Sequence, residues 1–435
     1  MHKLLRRTVL SRLAAVSLAL AGCAANGLGT ASAPEDVGLS SQKLKELTAA
    51  FQARVDAGEI PGAVLLVARD GKVVLFDAVG WQDREQKVPM RRDSIFRIAS
   101  MTKPVTSLAV MMLVEEGKLK LDDPVARYIP QLQDMQVGVV KTDASGKPAL
   151  SMVPARAQMT VLDLLRHTSG ISSGNLDQRD LLVQARYNAV NPWSRQQTNA
   201  EFVVKLATLP LLVQPGTSWE YGMSNDVLGR VVEVASGMEF GQFVTARILK
   251  PLVMNDSGFF VEPDKFQRLA QPQINPATGK RPWITVVRDK PVWSAGGGGM
   301  VSTANDYARF CQMLLNGGTL DGVRIVSAET IALMRRDHLP VASRIPAGKV
   351  PAANIHMPSV DNGYGFGLGW SVRTEETAKG IPGSIGDFTW SGGWGTHFWV
   401  DPKERLVAMF LTQSPGVDLN SLKLLARVQV YGGLK

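Results

Sequence analysis

Ser100-Met101-Thr102-Lys103-Pro104 sets a hydroxyl and an ammonium three residues apart. On a helix that spacing places both groups on one face. Pro104 lacks an N–H and suits a first helical turn, where that N–H would have no partner. The apolar run 105–114 then supplies a helix body, so Ser100 is expected at a helix N-terminus. The positive end of a helix and a neighbouring ammonium both lower the cost of forming an alkoxide. A serine hydrolase built this way needs no histidine. An isolated S-x-x-K is most often a capping serine beside a surface lysine, so the other segments decide.

Such a hydrolase needs a proton shuttle and an oxyanion site. Tyr221 is the best partner for Ser100 and Lys103, because it lies in the segment 215–226, a turn leading into a helix. An ammonium beside a phenol favours the phenolate, so a Lys–Tyr pair can carry the serine proton. Taken alone, Tyr221 would be a packing residue. Trp390-Ser391-Gly392-Gly393 supplies the third segment. Adjacent glycines near a strand leave room for substrate beside the backbone, and the N–H groups of Gly393 and Ser100 can form an oxyanion hole. The bland alternative is a pair of hairpin glycines. Gly170-Ile171-Ser172-Ser173-Gly174 matches G-x-S-x-G, but a predicted helix precedes it where a nucleophile elbow requires a strand, so it reads as a decoy. His167 is then not needed as a base and is expected to bond a loop in place.

These residues need a scaffold. A helix is predicted over 41–55, and strands over 63–68 and 72–79 join at Asp70-Gly71, a hairpin signal. The stretch 134–160 reads as a polar excursion turning at Ser145-Gly146. Helices are predicted over 160–166, 226–236, 240–249 and 306–315, and a glycine run occupies 296–299. Strands are predicted over 367–372, 388–391, 396–400 and 406–413, before a final helix over 420–430. Strands at both ends with helices between them predict an α+β fold, an antiparallel sheet flanked by helices with an inserted, mostly helical region.

Composition agrees with a globular enzyme. The 435 residues are 45% hydrophobic and 20% charged. The N-terminus differs: Lys3, Arg6, Arg7 and Arg12 precede an apolar run at 13–20, the pattern of a signal peptide. Leu20-Ala21-Gly22-Cys23 resembles a lipobox, which would lipidate Cys23 and anchor the chain to a membrane, whereas Ala31-Ser32-Ala33 resembles an ordinary cleavage site. The lipobox is the favoured reading, and an exported, periplasmic or envelope location follows from either. Removing the four basic residues of the leader from the formal charge of +9 leaves +5. That mild excess, with no basic run among aromatics, does not indicate nucleic acid binding. The only cysteines are Cys23 and Cys311, so no intramolecular disulfide is expected once Cys23 is acylated or removed. No histidine pair has a metal-ligand spacing, and neither a metal nor an organic cofactor is implied.

Phe96-Arg97-Ile98-Ala99-Ser100-Met101-Thr102-Lys103, Leu164-Leu165-Arg166-His167-Thr168-Ser169-Gly170, Pro215-Gly216, Tyr221, Gly363-Tyr364-Gly365-Phe366-Gly367 and Trp390-Ser391-Gly392 occur in that order. Together they resemble the serine β-lactamase and penicillin-recognising superfamily, and most closely its class C β-lactamase-related branch. That branch includes family VIII carboxylesterases, D-stereospecific peptidases and nylon-oligomer hydrolases. The resemblance covers nearly all of the mature chain. It implies a β-lactamase/transpeptidase-like fold with residues 1–33 as leader and tether and 34–435 as catalytic domain. Residues 36–133 and 290–435 would form the sheet region and 134–289 the helical region. It also implies that Ser100 is acylated and that Lys103 and Tyr221 act as general base and acid. Two departures matter. Met223 stands where Y-x-N would place an amide, which leaves Asn225 as the substrate-facing amide candidate. Trp390 replaces the lysine of K-T-G, and an indole cannot hold a substrate carboxylate; it resembles the W-G-G of family VIII esterases. The expectation is a serine hydrolase of short-chain carboxylic esters. The alternatives are a β-lactamase, D-peptidase or oligoamide hydrolase with the same centre, and a non-catalytic penicillin-binding-like envelope protein. Intact Ser100, Lys103 and Tyr221 argue against the last.

Overall fold

The computed structural model describes residues 28–173, 181–349, 355–376 and 378–435. Residues 1–27, with Cys23, and 174–180, with Gly174, lie outside them, so the predicted signal segment is not among the described residues, whereas 28–33 of the predicted tether are. The N-terminal part supplies β1 (Gly29–Thr30), α1 (Ser41–Asp56), β2 (Gly62–Arg69), β3 (Lys72–Asp83) and β4 (Val88–Pro89). β5 (Phe96–Arg97) and a 3-10 turn, Ala99–Met101, lead into α2 (Thr102–Glu115). The middle holds β6 (Gln136–Thr142), β7 (Pro148–Pro154), α3 (Val161–Leu165), α4 (Leu181–Val190), α5 (Asn199–Leu206), α6 (Ser224–Ser236) and α7 (Phe240–Val244). Next come β8 (Val301–Ser302), α8 (Ala304–Leu315), β9 (Thr319–Leu320), β10 (Val323–Arg324) and α9 (Ala328–Met334). The chain closes with β11 (Tyr364–Phe366), β12 (Ser371–Arg373), β13 (Phe388–Gly392), β14 (Thr396–Asp401), β15 (Leu406–Thr412) and α10 (Leu419–Tyr431).

Nine strands form one sheet in the order β1-β3-β2-β15-β14-β13-β12-β11, with β4 beside β3. All its pairings are antiparallel except β1 with β3. The first hairpin turns at Asp70 and Gly71, whose φ of 54° and 72° suit a turn matching the strand twist. β2 and β15 are central and buried on both faces, so they read as continuous apolar runs. Val64, Leu66 and Ala68 face a core shared with α2 and α8, while Ala63, Leu65 and Val67 face a core under α1 and α10. The predicted α+β architecture, with sheet strands from both ends of the chain, is therefore observed.

Helix α1 starts where the Ser40 hydroxyl accepts the Lys43 N–H at 3.3 Å. Its Leu44, Leu47, Phe51 and Val55 recur at helical spacing and are buried. α2 is buried from Thr102 to Leu113 and forms the central post of the molecule, as its all-round apolar sequence predicts.

Two expectations are corrected. The polar excursion over 134–160 contains an antiparallel hairpin, β6 against β7, closed by Asp143, whose backbone N–H donates to the Lys147 carbonyl at 2.8 Å. The single strand predicted over 367–372 is instead the turn and second strand of the β11–β12 hairpin. Gly369 makes that reversal possible: its φ is +110°, and a Cβ there would lie 2.5 Å from the Ser107 hydroxyl of α2.

The core under α10 holds a buried amine, Lys423. Burial, then the Arg427 charge, push it down from 10.5 to about 7, against the opposing pull of Asp418. Between those two values the unfolded chain holds a proton that the folded chain lacks. Stability therefore rises with pH across that window and carries the full penalty below it. Lys423→Met is expected to raise Tm near pH 7 by about 2–4 °C or more. The gain should shrink towards pH 10, as read by thermal melts at both values. A variant less stable at pH 7 would contradict this.

Candidate active site

The turn that carries Ser100 is clamped from three sides. β5 pairs with β8, Phe96 opposite Ser302 and Arg97 opposite Val301. The Ile98 N–H donates to the Met300 carbonyl at 3.1 Å, and the Met300 N–H donates to the Thr102 hydroxyl at 3.1 Å. The Thr396 hydroxyl of β14 donates to the Ile98 carbonyl at 3.2 Å. Ala99 sits in the left-handed region, φ +46°, at a cost of about 1 kcal/mol for an alanine. Backbone strain of this kind persists only where the surroundings hold it, and here it lifts Ser100 out of the strand and onto the start of α2.

Lys103 is one turn further along. Its Nζ lies 3.1 Å from Ser100 Oγ and donates to the Gly297 carbonyl at 2.6 Å. The Gly297 N–H in turn donates to Asp226 Oδ1 at 2.9 Å. Burial raises the Asp226 carboxyl, while Lys103 and the Gly297 N–H pull it down. A carboxyl, a peptide and an ammonium thus line up behind the serine, and the lysine side chain is fixed rather than free to sweep solvent. Sequence reasoning missed Gly297 and Asp226. A backbone carbonyl has no side-chain signature, and the glycine run 296–299 was its only trace.

Tyr221 is held against this pair. Lys103 Nζ stands 4.7 Å from the centre of its ring. The ring stacks on Trp219 at 5.8 Å and 16° and meets Trp390 at 5.4 Å. Among the described residues its hydroxyl makes no hydrogen bond, so it is available to a substrate or to Ser100. His167 packs behind it, 4.9 Å between ring centres, with Trp219 and Phe366 on other sides. The expected loop-bonding role is carried by the His167 carbonyl, which accepts the Glu220 N–H at 2.8 Å, and not by the imidazole. Among the described residues neither ring nitrogen makes a hydrogen bond of normal geometry, although the Asn225 side chain interacts with the imidazole. Burial first, then the Lys103 charge, hold this histidine well below the ordinary range, so it is neutral.

Strand β13 borders the nucleophile. A Cβ at Gly392 would lie 2.2 Å from the Ile98 carbonyl, so only glycine lets the strand approach this closely. Gly393 follows with open space at its Cβ position. Trp390 and Gly392 share the face towards the site. Ser391 alternates to the other face. That corrects its place among the substrate-binding candidates: its hydroxyl meets His397 Nδ1 at 2.9 Å in the core beneath the sheet. Asn225 is corrected too. It is fully buried, with its amide 3.3 Å from the Ser107 hydroxyl and 3.5 Å from the Lys103 carbonyl, and so ties α6 to α2 below the site. In the G-x-S-x-G segment, Ser172 follows α3 and no strand, and its N–H donates to the Tyr187 hydroxyl at 3.3 Å.

A hydroxyl at a helix start, a fixed ammonium and a free phenol occupy one corner between the sheet and the helical region. The Beta-lactamase family model matches residues 47–430. The chain belongs to the beta-lactamase family. Within it, protein Rv1367c of Mycobacterium tuberculosis is 37% identical over 375 residues, covering 82% of this chain and 87% of that one. Esterase EstB of Burkholderia gladioli is 31% identical over 387 residues, covering 85% and 90%. Among solved structures, EstCE1, described as a hydrolase with promiscuous acyltransferase activity, superposes with a TM-score of 0.73 at 27% identity, covering 90% of this chain and 99% of that one. The resemblance of the motifs to this family and its fold is thereby established over the whole scaffold that carries Ser100, Lys103 and Tyr221.

Proposed function

We propose that this beta-lactamase-family protein is a serine esterase that cleaves short-chain carboxylic esters through an acyl-enzyme on Ser100. The observation that carries the reading is the Lys103 ammonium, 3.1 Å from Ser100 Oγ and 4.7 Å from the Tyr221 ring centre. Similarity to EstB, whose name is that of an esterase, and to EstCE1 supports the substrate class.

In the first half-reaction Ser100 Oγ bonds to the ester carbonyl carbon while Tyr221 takes its proton. It does so as the phenolate, whose negative charge the Lys103 ammonium offsets until the proton arrives. The carbonyl oxygen becomes an oxyanion, for which the N–H groups of Ser100 and Gly393 are the donors. The carbon–alkoxy bond then breaks, and the departing oxygen receives the proton from Tyr221. In the second half a water attacks the acyl carbon, Tyr221 takes the water proton, and Ser100 recovers it as the acid leaves. Trp390 offers an indole where an anionic substrate would need a cation, which suits a neutral ester. Export follows from the leader, with Cys23 as the lipidated anchor.

Side-by-side assay of p-nitrophenyl butyrate and nitrocefin tests the substrate class. The ester is expected to show at least about tenfold higher kcat/KM, the order of discrimination a pocket without a carboxylate anchor provides. Faster turnover of nitrocefin would assign the same centre to β-lactam hydrolysis instead.

A further inference from the structure

We infer that Trp283 and Trp394 form the acyl-chain subsite of this centre, so that the enzyme selects esters with extended apolar acyl groups over acetates. The inference rests on the esterase reading above.

Trp283 is 73% exposed, an unusual position for so large an apolar side chain. Its ring meets that of Trp394 edge to face at 5.8 Å and 68°. Trp394 directly follows Gly393, the oxyanion donor, and its carbonyl accepts the Ser414 N–H at 2.7 Å. Both rings are mounted on fixed backbone. Two residues before Trp283, Arg281 pairs with Asp83 and Glu85, each at 2.8 Å. Two residues after it, the Thr285 carbonyl accepts Arg97 Nε at 2.6 Å. Arg97 is itself buried in β5, three residues before Ser100, and its Nη1 donates to the Ala270 carbonyl at 3.0 Å. The loop bearing Trp283 is therefore tied to the strand that delivers the nucleophile. An exposed indole held this way loses little freedom when it binds a ligand.

Direction follows from the proton path. The alcohol must leave towards Tyr221, which protonates it, and Tyr221 touches Trp390. The acyl chain departs from the opposite side of the carbonyl carbon. Following β13 from Trp390 leads away from Tyr221 to the strand's end at Gly392, about 7 Å on at a strand's rise per residue, and into the turn that carries Trp394, closed by the Gly395 N–H on the Gly392 carbonyl at 3.0 Å. An acetyl group ends before that turn, whereas a hexanoyl chain is long enough to lie against the paired indoles.

Steady-state kinetics on p-nitrophenyl acetate and hexanoate test this, with methyl hexanoate varying the alcohol alone. In Trp283→Ala, kcat/KM for both hexanoates is expected to fall about tenfold and for acetate less than about twofold, as loss of contact with a few methylenes requires. Trp283→Phe should keep most of the hexanoate preference. An equal effect on acetate and hexanoate, or a loss that follows the alcohol, would overturn the subsite. Failure of the unsubstituted enzyme to hydrolyse any of these esters would overturn the esterase reading and the subsite with it.

Discussion

Ser100→Ala should lower kcat/KM for p-nitrophenyl butyrate by roughly 10⁴-fold or more, the scale seen when a nucleophile that acts as a unit with its base is removed. The loss should fall on kcat. Ser100 contributes little to the core: its hydroxyl is a partner of Lys103 Nζ at 3.1 Å, and the strand and turn around it are held by backbone bonds from Met300 and by the Thr396 hydroxyl. The variant should therefore melt within a few degrees of the parent. Steady-state rates and a thermal melt on the same preparation check both halves. Residual turnover above about a tenth of the parent rate would place the nucleophile elsewhere, since proximity and an oxyanion hole alone do not supply that much.

Lys103→Met should cost about 10³-fold in kcat, within the range of acid–base contributions combined with loss of a charge at the reacting centre. The lysine is buried and spends its donors on Ser100 Oγ and the Gly297 carbonyl, so it cannot be replaced by a neighbour. Its removal also strips Asp226 of the cation that opposes the effect of burial, leaving that carboxyl protonated over a wider pH range. Stability should change less than activity, because the neutral carboxyl needs no counter-charge. Pre-steady-state rates with p-nitrophenyl butyrate separate the steps. Both acylation and deacylation should slow, since Tyr221 handles a proton in each. A variant that acylates at the parent rate would assign Lys103 a structural role only.

Most of the scaffold was legible in the residues. Asp70-Gly71 announced its hairpin because only special backbone angles close so tight a turn. The apolar run behind Pro104 announced a buried helix because nothing polar interrupts it. The β6–β7 hairpin was not legible, because its strands carry exposed apolar residues such as Val140 and Met152 and show no strict alternation against a core. The corner of the site was legible where chemistry lies in side chains: Ser100, Lys103 and Tyr221 are brought together from two elements far apart in sequence. It was not legible where a backbone atom does the work, as at Gly297. Ser391 shows a different failing. Trp390 and Ser391 are neighbours on a strand and must face opposite ways, so placing Trp390 in the site already places Ser391 outside it. Asn225 was misplaced because residues on a helix separate into faces. From position 225 the amide points at α2, and Asp226 faces Gly297.

The central claim is that Ser100 carries the acyl group. Mixing the enzyme with p-nitrophenyl butyrate, quenching in acid during the first turnovers and mapping the digest by mass spectrometry tests it most directly. A butyryl adduct confined to the peptide that contains Ser100, and absent from Ser100→Ala, is the predicted result. A butyryl group on Ser172 or another residue, or full turnover with no adduct at Ser100, would contradict it.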